Sequence, residues 1–297
     1  MKVFTPSIEH KNRFLSGWLT QPWIKLPRHK SNLKKETWLN GPIGKSRKID
    51  AVFFEELTKN NGLYIDSTST NTGLLEKFFQ LNSAVFEASW VHPKIVDFYE
   101  NTGGYEFDVW SEWAAAARPF ARLLSVFFGK RLQQLNLPLS SMDLAYGMTS
   151  EIVSIRSSLD QSRQYAGWLR KINRTGDVLF AGAYMSCCPP NLGYECVKAI
   201  FPLPNGNITV IFRPENVADG SFKLHSVGNR WGDSGLYFLV NCGNEAAYVK
   251  FVKSIAQTIH VYLDDAGELR TDHIFKFWGI KFLHLHYRIR NKRAGMG

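Results

Sequence analysis

Cysteine is scarce in this 297-residue chain. There are four, Cys187, Cys188, Cys196 and Cys242, and no two are spaced as CxxC. That excludes the common zinc-finger and thioredoxin arrangements. The patterns HExxH, GxSxG, GxxxxGK[ST] and GxGxxG are also missing, so no zincin helix, nucleophile elbow or glycine-rich phosphate loop is indicated. No stretch reaches the ~18 uncharged apolar residues of a membrane-spanning helix. The closest, 113–128, is interrupted by Arg118, Pro119 and Arg122. The opening MKVFTPSIEHKNR lacks the apolar core of a signal peptide. With thiols reduced by default in such a setting, a soluble cytoplasmic protein without a transmembrane segment is expected. Internal repeats and low-complexity tracts are absent as well.

Acidic residues are few at the two ends. Residues 1–50 hold eleven Lys or Arg against three acids, and 288–297 hold Arg288, Arg290, Lys292 and Arg293 against none. The stretch 51–287 is left with 21 basic and 23 acidic residues, although the whole chain carries +10. A nucleic-acid-binding domain spreads its positive charge over a folded face. Basic ends fit an anionic membrane surface or nucleic acid equally, and also fit solvated tails.

Aromatic residues, by contrast, are plentiful: nine Trp, 21 Phe and 11 Tyr. Such rings suit a thick core, a ligand cavity or an interface. Pro6, Pro22, Pro27 and Pro42 break any helix in 1–50, which reads as a basic arm held on the body by Trp18, Trp23, Ile24 and Trp38. Residues 51–140 read as helical. Candidate helices lie at Ala51–Asn60, at Thr72–Asn82, from His92-Pro93 to Gly103, and at Asp108–Asn136. In the last, Asp108 is a plausible N-cap, and Trp110, Trp113, Ala117, Phe120, Leu124 and Phe127 recur every three to four residues. Pro119 predicts a kink there. With Arg118, Arg122, Lys130 and Arg131, this helix could lie on a membrane surface, but a core-packed helix is the more economical reading.

From about residue 147 the hydrophobic period becomes two. Strands are expected at 150–157, 164–173, 177–186, 221–228, 235–241 and 281–290. Hairpins are expected at 195–214, around Asn205-Gly206, and at Asp264-Asp265-Ala266-Gly267. Tyr248, Phe251, Val252 and Ile255 predict one late helix in 244–257. The fold expected is therefore α+β: a helical N-terminal part packed on a curved antiparallel β-sheet, half-barrel or barrel, formed by 147–290.

Three groups carry possible chemistry. His284 and His286 lie two apart on one strand and share a face, about 7 Å apart at Cα. A lone HxH pair is too weak a signal to assign a metal, so neither metal nor cofactor is expected. Asp272 and His273 are neighbours in a strand, point to opposite faces and form no pair with each other. The glycine-rich segment 228–235 holds Arg230 and Asp233, with Tyr237 just beyond, and loops of this kind often carry function. Together these residues are candidates for the polar groups of a sheet-lined cavity that binds an apolar small molecule or lipid. The alternatives are an enzyme using the same groups for proton transfer, and an interaction protein docking through its basic ends.

Overall fold

Alternation of apolar and polar residues governs far more of the chain than the sequence pattern indicates. The computed structural model describes residues 29–44, 53–59, 61–68, 73–114, 148–173, 176, 178–243 and 245–292. The strands are β1 (His29–Asn32), β2 (Leu63–Asp66), β3 (Tyr105–Trp113), β4 (Met148–Ser157), β5 (Arg163–Ile172), β6 (Val178–Cys187), β7 (Cys196–Leu203) and β8 (Gly206–Asn216). They continue with β9 (Phe222–His225), β10 (Gly235–Gly243), β11 (Ala246–Val252), β12 (Ile255–Leu263), β13 (Leu269–Phe277) and β14 (Ile280–Asn291). The described residues contain two α-helices, α1 (Phe53–Thr58) and α2 (Pro93–Glu100). Pro93 opens α2, where a missing N–H costs nothing, and His92 Nδ1 accepts from the Lys94 N–H at 3.1 Å.

All strands pair antiparallel in one open sheet, in the order β2-β4-β5-β6-β7-β8-β9-β12-β13-β14-β3. A side branch runs from β8 through β10 and β11 to β1. Strand β8 is the branch point. Along one edge, Gly206–Phe212 pair with β7. Along the other, Gly206–Ile211 pair with β10 and Arg213–Asn216 with β9. A Cβ at Gly206 would stand 2.1 Å from the Leu239 carbonyl oxygen, so only glycine admits β10 this close.

Both faces of β8 are covered. Val210 and Phe212 join the main core, with α2, the 74–91 segment and rings from β3, β5 and β9. Ile211 faces the other way, into a second core with Trp38, Leu39, Tyr237, Leu239 and Val249. There the fully buried Lys198 ammonium donates to the carbonyls of Trp38 (3.0 Å) and Asn40 (2.6 Å) and ties the 37–40 segment to β7. Helix α1 covers a third cluster by laying Phe53, Phe54 and Leu57 on Ile155, Leu169, Val178 and Ala181. Among the described residues the two ends of the sheet form no ladder, yet Phe107 of β3 reaches Trp168 of β5 at 5.5 Å, and the Arg170 guanidinium lies over both rings and Tyr287.

These features correct the expected fold. The N-terminal part is not a helical layer on a sheet. Asp108–Trp113 are strand, with Asp108 paired to Arg290 at 2.9 Å rather than capping a helix; the rest of the expected long helix, 115–136, lies outside the described residues. The 72–82 segment holds only a short 3₁₀ turn, Phe78–Leu81. The late helix is instead β11 running into β12, because Ala247 and Val249 are buried at every second position. Among the described residues the sheet is open, not closed into a barrel. The hairpin at 195–214 turns on Pro204-Asn205, with Asn205 at φ 60° and Gly206 already in the ladder opposite Leu203. Of the basic ends, 1–28, 45–50 and 293–297 lie outside the described residues. Arg288 and Arg290, counted with the basic C-terminal end, sit in β14 as the strand expected at 281–290 places them, paired to Glu268 and Asp108.

Many of the aromatic rings pack on one another in the core. Phe222 is fully buried and meets Phe78 at 5.0 Å, Tyr99 at 5.3 Å and Phe86 at 5.5 Å. Phe222→Ala is expected to lower the free energy of unfolding by about 3–5 kcal/mol, read from the midpoint shift in chemical denaturation. A loss under about 1 kcal/mol would show that this ring cluster does not organise the core.

Candidate functional site

Antiparallel register places opposed residues on one side of a sheet and alternates sides along each strand. Across β9, β12, β13, β14 and β3, Lys223 opposes His260, His260 opposes Asp272, Asp272 opposes His286, and His286 opposes Trp110. One rung along, His225, Thr258, Ile274, His284 and Glu112 are aligned in the same way. Four of the eight histidines therefore share one sheet face. The opposite face carries Leu283, Leu285 and Ile289, all buried.

His284 and His286 lie with ring centroids 3.7 Å apart, between two carboxylates. On one side, Asp272 Oδ1 is 2.6 Å from His286 Nδ1 and 3.3 Å from His284 Nε2. On the other, the Glu112 carboxylate is 3.6 Å from His286 Nε2 and 3.8 Å from His284 Nδ1. Asp272 thus lies beside one nitrogen of each ring, although the His284 Nε2 facing it makes no hydrogen bond. The second nitrogen of each ring is directed toward Glu112. Glu112, His284 and His286 each offer a ligand atom within 4.8 Å of the others. Burial, and then the neighbouring His286, hold the His284 imidazole below its ordinary pKa, so at neutral pH it is uncharged and able to coordinate. A tetrahedral zinc ion needs ligand atoms about 3.4 Å apart. Glu112, 65% exposed, has the freedom to close the remaining gap.

The other histidines differ. His260 Nε2 is 2.8 Å from Ser221 Oγ, but no ion pair joins His260 to a carboxylate among the described residues, so the third group of a nucleophilic triad is missing. His225 lies 3.1 Å from Glu215 and 3.2 Å from Thr258 Oγ1. His273 points to the other side of the sheet from Asp272, stacks on Phe275 at 4.1 Å and meets Gln257 Oε1 at 3.0 Å.

Arg230, Asp233 and Tyr237 lie elsewhere, at the start of the β10 branch. Asp233 accepts from Asn191 Nδ2 and from the N–H groups of Asn229 and Arg230 at 2.9–3.1 Å. Burial would raise its carboxyl; these hydrogen bonds outweigh that and hold it below the usual range. Arg230 is 76% exposed and 3.8 Å from Asp233. The buried Tyr237 hydroxyl donates to the Asp233 carbonyl at 2.7 Å and accepts from the Gly232 N–H. These three close a loop. The structure brings Asp272, His284 and His286 together and leaves Arg230, Asp233, Tyr237 and His273 apart from them. Sequence reasoning missed Glu112 because a helical period was assigned to 108–136. The alternation Tyr105-Glu106-Phe107-Asp108-Val109 was the signal that could have found it.

No family model matches the chain, and no solved structure matches it. The Uncharacterized membrane protein YndJ of Bacillus subtilis (strain 168) is 27% identical over 248 residues, covering 82% of this chain and 41% of that protein. The chain thus spans about two fifths of the length of this curated relative. The likeness overturns the expectation of a soluble cytoplasmic protein. No helix among the described residues is long and apolar enough to cross a membrane, which says nothing of strands. The cavity-type binder of apolar molecules is set aside as well: the relative's name points to a membrane protein, and the rings expected to line a cavity pack on one another.

Burial pushes the His273 pKa down to about 3, against 6.5 for an ordinary histidine. Between these values the unfolded chain takes up a proton that the folded chain refuses. The stabilisation from a neutral His273 is therefore complete above about pH 6.5 and is lost progressively as pH falls toward 3. For a partly accessible ring the loss is on the order of 2 kcal/mol. His273→Gln removes this titration, so its melting temperature should fall less than that of the wild type between pH 6.5 and 4; parallel pH profiles would refute the assignment.

Proposed function

We propose that this chain is a metal-binding β-sheet unit, with His284 Nδ1, His286 Nε2 and a Glu112 carboxylate oxygen holding a divalent first-row ion, zinc being the best fit to this donor set. The observation that carries the reading is the position of Asp272. Its carboxylate lies on one side of both imidazoles, 2.6 Å from His286 Nδ1 and 3.3 Å from His284 Nε2, and the Glu112 carboxylate lies on the other side of both. A carboxylate behind a ligating histidine fixes its tautomer and raises its basicity. Three strands supply the four residues, so the ladder itself sets their spacing.

Equilibrium dialysis of the full chain against Zn²⁺ and Ni²⁺, read by elemental analysis, tests this. One ion per chain is expected. His284→Ala with His286→Ala should weaken binding at least ~100-fold, and Asp272→Asn about 10–100-fold. His225→Ala, on the same face but outside the quartet, should leave it unchanged. Protons compete for the same lone pairs, so binding should hold at pH 7 and fall away below the ordinary imidazole range, about pH 6.5. Absence of stoichiometric metal in the wild type, or undiminished binding by the double variant, would overturn the reading.

A second reading concerns place. The chain works at a membrane. The support is its likeness, over most of its length, to a protein named as a membrane protein. Fractionation of cells expressing the full chain should find it with the membrane pellet.

A further inference from the structure

The hairpin joining β13 to β14 presents its least polar residues at its tip. Phe277 and Ile280 pair across a two-residue turn made by Trp278 and Gly279. Their exposures are unusually high for such residues: 43% for Phe277, 76% for Trp278 and 74% for Ile280. The Phe277 and Trp278 rings lie 4.4 Å apart and form one projecting apolar knob.

Two further observations show that stability of the fold does not explain this tip. Trp278 has φ +46° and Gly279 φ +81°, the conformation of a type I′ turn. Asn, Asp or Gly is favoured at the first position of such a turn, and a bulky side chain there is strained. A tryptophan is thus held where asparagine would serve the hairpin better, and its ring is turned into solvent. The charges are equally unfavourable in isolation. Lys276 stands directly opposite Lys281 in the ladder, and like charges so opposed repel. The adjoining β11–β12 turn adds exposed Lys253 and is tied to the tip by the Trp278 N–H donating to the Ser254 carbonyl at 2.7 Å. None of these three lysines has an ion-pair partner among the described residues. Glu112, on the neighbouring strand, is turned to His284 and His286.

We propose that this tip docks on an anionic lipid bilayer, with Trp278, Phe277 and Ile280 entering the interface and Lys253, Lys276 and Lys281 meeting the headgroup charge. Indole and phenyl rings partition to the headgroup level of a bilayer, and apolar side chains bordered by lysine are the usual composition of a surface anchor. An anionic surface also removes the Lys276–Lys281 repulsion by supplying the missing counter-charge. The inference deepens the membrane reading above by naming the surface that makes the contact; it is independent of the metal site.

The test is co-sedimentation of the full chain with vesicles of phosphatidylcholine alone and with 30 mol% phosphatidylserine (roughly the regime in which a basic patch responds to surface charge). Wild type should bind the anionic vesicles at least about tenfold more tightly, with affinity falling as salt rises. Trp278→Asn with Ile280→Thr should weaken binding about tenfold or more, while the melting temperature stays level or rises, because Asn suits the turn. Lys276→Gln with Lys281→Gln should weaken binding to anionic vesicles by a similar factor, each lysine contributing about fivefold, and leave binding to neutral vesicles unchanged. If the tip variants bind as tightly as wild type, the proposal fails while membrane association stands. If wild type binds neither vesicle yet fractionates with membranes in cells, the proposal again fails and the contact lies elsewhere. If the tip variants instead change the oligomeric state in vesicle-free solution and wild type ignores vesicles, the knob joins copies of this chain and the bilayer proposal is overturned.

Discussion

Everything in this fold hangs on β8. A strand has two edges, and β8 divides one of them: its first half pairs with β10, its second with β9, while β7 runs along the opposite edge. Both faces are covered as well, with Phe212 in one core and Ile211 in the other. The two sheet wings therefore share a single backbone segment and two packed interiors. Close approach at Gly206 makes the branch possible, and the buried Lys198 amine locks the 37–40 segment over it.

From that branch, the histidine face follows by geometry. Pairing β9 with the end of β8 sets the register of β12, then β13, β14 and β3. Alternation sends the aliphatic side chains inward and leaves the imidazoles and carboxylates outward. The two imidazoles pack at 3.7 Å with a carboxylate on either side, and burial and the neighbouring His286 hold the His284 ring below its ordinary pKa. The same wing ends in the Trp278 hairpin, so the candidate metal ligands and the aromatic tip are carried by the same strands.

Much of the strand content could be read from local pattern. The run Leu283-His284-Leu285-His286-Tyr287-Arg288-Ile289-Arg290 announces its two faces, and the Asp264–Gly267 turn falls between β12 and β13 where turn chemistry puts it. What failed was the period where aromatics are dense. Trp110 and Trp113 fit a three-residue spacing and a strand equally well, and the continuation of that spacing through Ala117, Phe120, Leu124 and Phe127 set the reading as helix. Tyr248, Phe251, Val252 and Ile255 misled in the same way, because β11 and β12 meet at a turn that interrupts the strand period. Glu112 was lost with the first of these errors, and with it the fourth member of the quartet.

The sequence by itself determined which residues alternate, where turns form and that His284 and His286 share a face, because those properties depend on neighbours a few positions apart. It could not determine that Asp272 and Glu112 flank them. Strand adjacency brings Glu112 to His284 across 172 positions of chain, and that adjacency is decided by which apolar faces fill the common core. The same holds for β8: local pattern makes it a strand, but only the packing of two interiors against its two faces makes it the branch point of the sheet.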